Sequence, residues 1–193
     1  MRTGKRLILD NFWKYILVVA LSIFIWSAVF EFLSQVKDNQ RITVAVYNVE
    51  CDTACLKEAL TTMTDQEILE LYVDALEHIP NQTYATDILT MQILQADLIV
   101  MPESLLNALD VALYFPALPE SLCREGNYQI DEAQYGIRIT AHSNFSAYCT
   151  NEEPCYLLLS SQSVNLGTLL GRGAIEDDAA IRIMEYLLEE VAQ

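Results

Sequence analysis

The chain has 193 residues, of which 52% are apolar, and a formal net charge of −16 at pH 7. That length suits one domain of ordinary size with an appendage. The acid excess lies in residues 32–193, which hold 7 basic and 25 acidic side chains and so carry a net charge of −18. Such a charge argues against nucleic acid and anionic lipid headgroups as partners, and it suits the solvated surface of an extracellular domain.

Residues 12–33 are apolar enough to cross a bilayer. They include "YILVVALSIFIWSAVF" (15–30), sixteen residues without a charge, and flanking apolar residues extend the run to about 22, enough to span roughly 30 Å. A buried core helix is rarely apolar on every side for this long. A cleaved signal peptide normally has a shorter apolar run and a small-residue cleavage site. We therefore predict an uncleaved transmembrane helix over 12–33.

The charges around this segment predict its orientation. Four basic residues and one acid precede or open the apolar run, and the charges that follow it nearly cancel. The positive-inside rule then places a tail, 1–11, in the cytoplasm. A polar tether, 34–40, and a domain over 41–193 are placed outside. The prediction is a single-pass protein of the cell membrane, with the lipid bilayer as its partner through the helix.

Strand and helix patterns alternate after the tether. "RITVAVYNV" (41–49) predicts a buried strand, and Asp52 or Thr53 can cap the helix that follows. Further segments continue the alternation: 67–76 (strand), 86–95 (helix), 98–101 (strand) and a helix after Pro102. Three strand-then-helix units in about 70 residues predict a three-layer α/β fold with a mostly parallel sheet.

The later part of the chain is less regular. "YGIRITAHS" (135–143) and "PCYLLLSSQ" (154–162) predict two more strands, and three glycines within 163–175 predict a mobile loop. A closing helix is predicted from about Asp177. Its apolar stripe contains Ala180, Met184, Leu187 and Val191, with Ile181 and Leu188 beside them.

The order of these elements resembles one lobe of an extracellular solute-binding protein, of the small membrane-tethered type found in Gram-positive bacteria. Five stretches carry the resemblance: "ADLIVMPESLL" (96–106), "YFPALPESL" (114–122), "YGI" (135–137), "CYLLLSS" (155–161) and "DDAAIRIMEYLLEE" (177–190). It implies non-catalytic binding or sensing of a small solute, or partnership with another membrane protein, without a cofactor. A complete solute-binding protein has a second lobe of similar size. Residues 111–154 are too few for one, so the chain holds at most half of such a ligand clamp.

Ligands of open parallel α/β sheets bind beyond the carboxyl ends of the strands. Polar residues at those predicted ends are the candidate ligand-binding set: Asn48, Glu50, Glu77, His78, Asn81, Glu103, Ser160 and Ser161. The plain alternative is that they are ordinary loop residues. No catalytic residue and no metal ligand is predicted, because the chain lacks G-x-S-x-G, P-loop and H-E-x-x-H motifs.

Five cysteines in an exported domain favour disulfides over free thiols. Several pairings are open. The simplest prediction joins neighbours along the chain, Cys51 with Cys55 and Cys149 with Cys155, and leaves Cys123 unpaired.

A second hypothesis concerns the same cysteines. Cys51 and Cys55 lie between the first strand and its helix, where thioredoxin-like thiol proteins and copper chaperones have their reactive cysteines. Together with His142 they would form a thiolate and imidazole set that suits Cu(I). The motif "CDTAC" lacks the proline usual in those families, and one distant histidine is weak support. The alternative function is therefore a membrane-tethered thiol or copper-delivery protein.

Overall fold

The computed structural model describes residues 12–34, 40–62, 68, 70–77, 85–163, 165–166, 169 and 179–190. For residues 31–34, 85–89 and 179 it describes the helical backbone alone. The chain divides into two compact units, Met1–Val36 and Lys37–Gln193.

The first unit contains one helix, α1 (Phe12–Ser34), of 23 residues. Its stretch Phe12–Phe30 has no buried residue, and Trp13, Phe24 and Phe30 are each more than 70% exposed. The alternative of a buried core helix is therefore wrong. By length and composition the helix is able to cross a membrane, and a signal sequence near the N-terminus would meet the same description. The prediction of an apolar helix that is long enough to cross a membrane is confirmed.

The second unit alternates strands and helices. In chain order they are β1 (Arg41–Tyr47), β2 (Glu50–Cys51), α2 (Thr53–Thr61), β3 (Glu70–Leu76), α3 (Ala85–Gln95), β4 (Leu98–Pro102), α4 (Glu103–Ala108), α5 (Val111–Tyr114), β5 (Tyr128–Ile130), β6 (Ala133–Arg138), β7 (Cys149–Thr150), β8 (Cys155–Leu159) and α6 (Ala179–Leu188). Short 3-10 turns lie at Glu120–Leu122 and Phe145–Ala147.

Six strands form one sheet, in the order β3-β1-β4-β8-β6-β5. β1 pairs in parallel with β3 and with β4, and the other neighbours pair antiparallel. Four of the six strands therefore run in one direction, and β8 and β5 run in the other. The predicted mixed α/β fold with a mostly parallel sheet is confirmed, but neighbouring strands pair in parallel only among β1, β3 and β4. β2 and β7 form a separate antiparallel ribbon.

Helices cover both faces of the sheet because its central strands are apolar on both sides. Ile42, Val44 and Val46 of β1 face a core that includes residues of α2 and α6. Ala45 and Tyr47 face a second core, built with α3, α4 and α5. The sheet is thus the middle of three layers.

The ends of several elements have clear local causes. α2 begins where the Asp52 carboxylate accepts a hydrogen bond from the Cys55 N–H at 3.1 Å, so Asp52 is the predicted cap. Pro102 lies at the N-cap of α4 and ends β4, outside the first helical turn where prolines are common. β6 stops at Arg138 instead of near 143, and a turn follows in which the Ser143 N–H bonds to the Thr140 carbonyl at 3.2 Å.

The closing helix has the predicted apolar face. Ala180, Met184 and Leu187 are buried, together with Ile183, whereas Val191 lies outside the described residues. Most of the predicted mobile loop, 163–175, also lies outside them. Its described start is packed instead of loose, since Ser163, Asn165 and Leu166 are all buried.

Candidate functional site

The parallel strands β1 and β3 end side by side, and this brings predicted site residues together. The Asn48 N–H donates to the Leu76 carbonyl at 2.9 Å, which fastens the end of β1 to the end of β3. Asn48 has φ 51°, in the left-handed region that asparagine tolerates better than most residues. There the chain leaves the sheet and enters β2.

A cleft of about 720 Å³ opens at this edge. It is lined by residues 48–51 after β1 and by residues 75–77 at the end of β3. Asn48, Glu50 and Glu77, three of the predicted ligand-binding residues, lie together in it and are all exposed. Two carboxylates and an amide therefore face one opening. We call this opening the acidic cleft.

Glu103 lies at the same edge of the sheet, beyond β4, but does not line the acidic cleft. Its N–H donates to the Pro154 carbonyl at 2.9 Å. Burial and, to a lesser degree, the charge of Glu103 raise the pKa of Tyr128 and of Tyr156, whose rings meet edge to face with centroids 5.5 Å apart. Glu103 thus belongs to a separate aromatic neighbourhood beside the start of β8.

Ser160 and Ser161 lie at the opposite edge of the sheet, so their grouping with the other candidates is wrong. The grouping requires that the strand before these serines runs parallel to β1, whereas β8 is antiparallel to β4 and its carboxyl end lies beside the start of β4. Ser160 is 1% exposed, and its hydroxyl donates to the Ile93 carbonyl at 3.3 Å. Ser160 is therefore a structural residue of the core. His78 and Asn81 lie outside the described residues.

A buried polar cluster at that opposite edge was missed by the sequence analysis. Asp97, 7% exposed, accepts hydrogen bonds from the Thr43 N–H at 2.9 Å, from the Ser163 hydroxyl and from the Asn165 side-chain amide at 3.1 Å. Burial raises the pKa of the Asp97 carboxyl above its ordinary value, and the three hydrogen bonds offset part of that rise. The sequence feature that points to this cluster is the single acidic residue directly before the apolar strand in "ADLIV".

The Asp97 cluster joins three parts of the sheet. Thr43 is in β1, Asp97 precedes β4, and the Asp97 carbonyl accepts the N–H of Ser160 after β8 at 3.0 Å. Asn165 also donates to the Arg41 carbonyl at 2.7 Å. Because the acid and Ser163 are both buried, this arrangement is suited to holding the strands together.

One disulfide is present in the structure, and it differs from the predicted pairs. Cys51 bonds to Cys149, 98 residues away, because β2 and β7 place the two residues directly opposite each other with their Cα atoms 4.0 Å apart. The prediction that these two residues form disulfides is confirmed, but the pairings with Cys55 and Cys155 are wrong. Cys55 and Cys123 are exposed free thiols, and Cys155 is a buried one.

This pairing weakens the thiol and copper alternative. Cys51 is already bonded, and the pKa of the Cys55 thiol is raised, first by the hydrogen bond and charge of Asp52 and less by Glu58. A reactive or metal-binding cysteine needs the opposite shift, toward thiolate. His142 lies exposed in the loop after β6. Within the described part of the chain, no group of three or more histidine, cysteine or acidic side chains is close enough to hold a metal.

The fold and these sites define the chain as a mixed α/β domain preceded by one apolar helix that is able to cross a membrane. Comparisons with protein-family models, with curated proteins and with solved structures found no match to this chain. The resemblance to a lobe of a solute-binding protein therefore stays a prediction. A function has to be inferred from the edge of the sheet and the chemistry of its residues.

Proposed function

We propose that this chain is a membrane-anchored binding or sensing protein that works outside the cell without catalysis. Its α/β domain recognises a small solute, or a segment of a membrane-protein partner, at the carboxyl edge of the sheet. The observation that carries this proposal is the acidic cleft, where Asn48, Glu50 and Glu77 meet beyond the ends of β1 and β3. Open α/β sheets bind their ligands at this kind of edge.

Two observations support the extracellular location. α1 is apolar and exposed along Phe12–Phe30, and the basic residues of the chain's start precede it. Disulfides form and persist in oxidising compartments and are rare in the cytosol, and Cys51 is bonded to Cys149.

The lining of the acidic cleft supports binding of a donor-rich group. Glu50 and Glu77 supply carboxylate acceptors and Asn48 an amide, and the cysteine that lines the cleft, Cys51, is held in the disulfide. The described lining offers no nucleophile beside a general base, the pairing that covalent catalysis requires. A ligand with an ammonium or guanidinium group fits two carboxylates at one opening.

A thermal-shift screen tests this proposal on the full chain purified in detergent. Small cationic solutes should raise the melting temperature, and matched neutral and anionic solutes should not. The double variant Glu50→Gln/Glu77→Gln should lose the shift because it removes both carboxylates. The control Glu132→Gln, on the exposed turn between β5 and β6, should keep it. A shift that survives in the double variant, or no shift with any cationic solute, would contradict the proposal.

A further inference from the structure

A second cleft, of about 670 Å³, lies between three chain segments: the turn before β5, the end of β6 and the end of α6. Arg124 and Arg138 both line it, and both side chains are exposed. Among the described residues, neither guanidinium lies within ion-pairing distance of a carboxylate. We call this opening the arginine cleft.

The two arginines share one wall of the cleft. A Cβ added at Gly126, which has φ 90°, would meet Cδ and Nη1 of Arg138 at 3.6 and 3.7 Å. The Arg138 side chain therefore runs back along the turn that carries Arg124. Asn127 and Gln134 hold that turn, since Asn127 Oδ1 accepts the Arg138 N–H at 3.2 Å and Gln134 Oε1 accepts the Arg124 N–H at 3.0 Å.

This arrangement is unusual for a chain with so many acids. Residues 32–193 hold 25 acidic and only 7 basic side chains, so a surface arginine has many carboxylates with which it could pair. The guanidinium fork matches carboxylate geometry, and its backbone here is already ordered. An external carboxylate is therefore a suitable partner for these two arginines.

The rest of the cleft carries the opposite charge and an apolar floor. Glu189 and Glu190, from the end of α6, also line it, and Glu125 lies next to Arg124. The end of α6 is fixed, because the Asn144 N–H donates to the Glu189 carbonyl at 2.8 Å. Ile137, Ile139 and Leu188 supply the apolar part of the lining. The cleft thus presents cations, anions and apolar surface to one ligand.

We propose that the arginine cleft binds a short peptide with free termini and apolar side chains. Its carboxylate pairs with Arg124 and Arg138, its ammonium group faces Glu189 and Glu190, and its side chains lie on the apolar lining. The inference is independent of the acidic cleft, which is lined by different residues, and of the location of the protein.

Isothermal titration calorimetry of the full chain in detergent tests this inference with three probes. They are leucyl-leucine, its N-acetyl form, which lacks the ammonium group, and its C-terminal amide, which lacks the carboxylate. The unmodified dipeptide should bind, and each blocked form should bind at least about tenfold more weakly, the usual scale for losing one charge-assisted contact.

Three variants assign the contacts. Arg138→Gln should weaken the dipeptide about tenfold and remove its advantage over the amide, and Glu189→Gln should remove its advantage over the N-acetyl form. Lys57→Gln, which removes an exposed cation on α2, should change nothing. The melting temperature of Arg138→Gln should match the parent's, because the side chain has no carboxylate partner among the described residues to lose.

Equal affinity for the three probes, no binding at millimolar concentration, or an Arg138→Gln variant that binds like the parent would each overturn the inference. Because Glu50→Gln/Glu77→Gln leaves the arginine cleft intact, it should bind the dipeptide normally. Failure of one cleft is therefore distinguishable from failure of the other.

Discussion

Asp97 is a buried acid whose hydrogen bonds link β1, β4 and the segment after β8. Its carboxylate is the shared acceptor of three donors, from Thr43, Ser163 and Asn165. A buried donor that loses its acceptor costs about 1–3 kcal/mol. Asp97→Ala should therefore lower the free energy of unfolding by about 3 kcal/mol or more, measured by urea denaturation of the full chain in detergent.

The control for this variant is Asp110→Ala. Asp110 is exposed at the start of α5, and its side chain makes no capping hydrogen bond. Its replacement should change the free energy of unfolding by less than about 0.5 kcal/mol. Equal losses in the two variants would mean that the buried acid has no special role.

Asp97→Ala also tests how the free energy of unfolding depends on pH, and the direction of that dependence can be predicted. The raised pKa of Asp97 means that the folded state holds this proton more tightly than the unfolded state does. The protonated form of Asp97 therefore stabilises the folded state at low pH. That stabilisation is lost as the pH rises from the unfolded-state pKa of about 4 through the raised pKa of the folded state. The free energy difference between the parent and Asp97→Ala should shrink over that window and level off above it. A difference that grows with pH would contradict the assignment.

At the scale of elements, the disulfide links two strands that have only two residues each. The bond between Cys51 and Cys149 closes a loop with a sequence separation of 98, and loops of that length gain about 2–5 kcal/mol from the cross-link. Cys51→Ser/Cys149→Ser should lose that amount and melt at a lower temperature. Cys123→Ser, which removes an exposed free thiol, should melt like the parent.

Peptide mapping without reducing agent checks the pairing itself. The expected cross-linked peptide contains Cys51 and Cys149. Recovery of Cys51 joined to Cys55 would instead restore the short-range pairing predicted from the sequence.

The elements show which structural features can be predicted from the sequence and which cannot. β1 and β4 are β-branched or apolar runs followed by helices, so their parallel pairing follows from chain order. β8 reads "CYLLL" and is buried on both faces, a pattern that carries no information about strand direction. The β2–β7 ribbon was also unpredictable, because a two-residue strand has no periodicity and its partner is distant in sequence.

Strand direction also explains which residues of the candidate sites can be predicted from the sequence. Asn48, Glu50 and Glu77 were found because each follows a strand of the parallel half of the sheet. Ser160 was misplaced because the direction of β8 was unknown. Arg124 and Arg138 were missed because an exposed arginine near a strand end is ordinary in sequence, and only the turn at Gly126 places them along one wall.

At the scale of the whole molecule, one apolar helix precedes a strongly acidic α/β domain that contains a disulfide. An exposed apolar helix of this length is compatible with a membrane anchor or a signal sequence, and disulfides persist in oxidising compartments. A protein anchored in the cell membrane with its domain outside fits both observations. This topology is the central claim, because the function proposed for the acidic cleft concerns a ligand that reaches the domain from outside the cell.

Labelling of Cys123 in intact cells tests that claim most directly. A membrane-impermeant maleimide should label this exposed thiol without permeabilisation, and the protein should stay with the membranes after alkaline carbonate washing. As the control, Thr3→Cys in a Cys55→Ser/Cys123→Ser background should react only after permeabilisation. Labelling of Cys123 only in permeabilised cells, or full-length protein recovered in the aqueous fraction, would contradict the account.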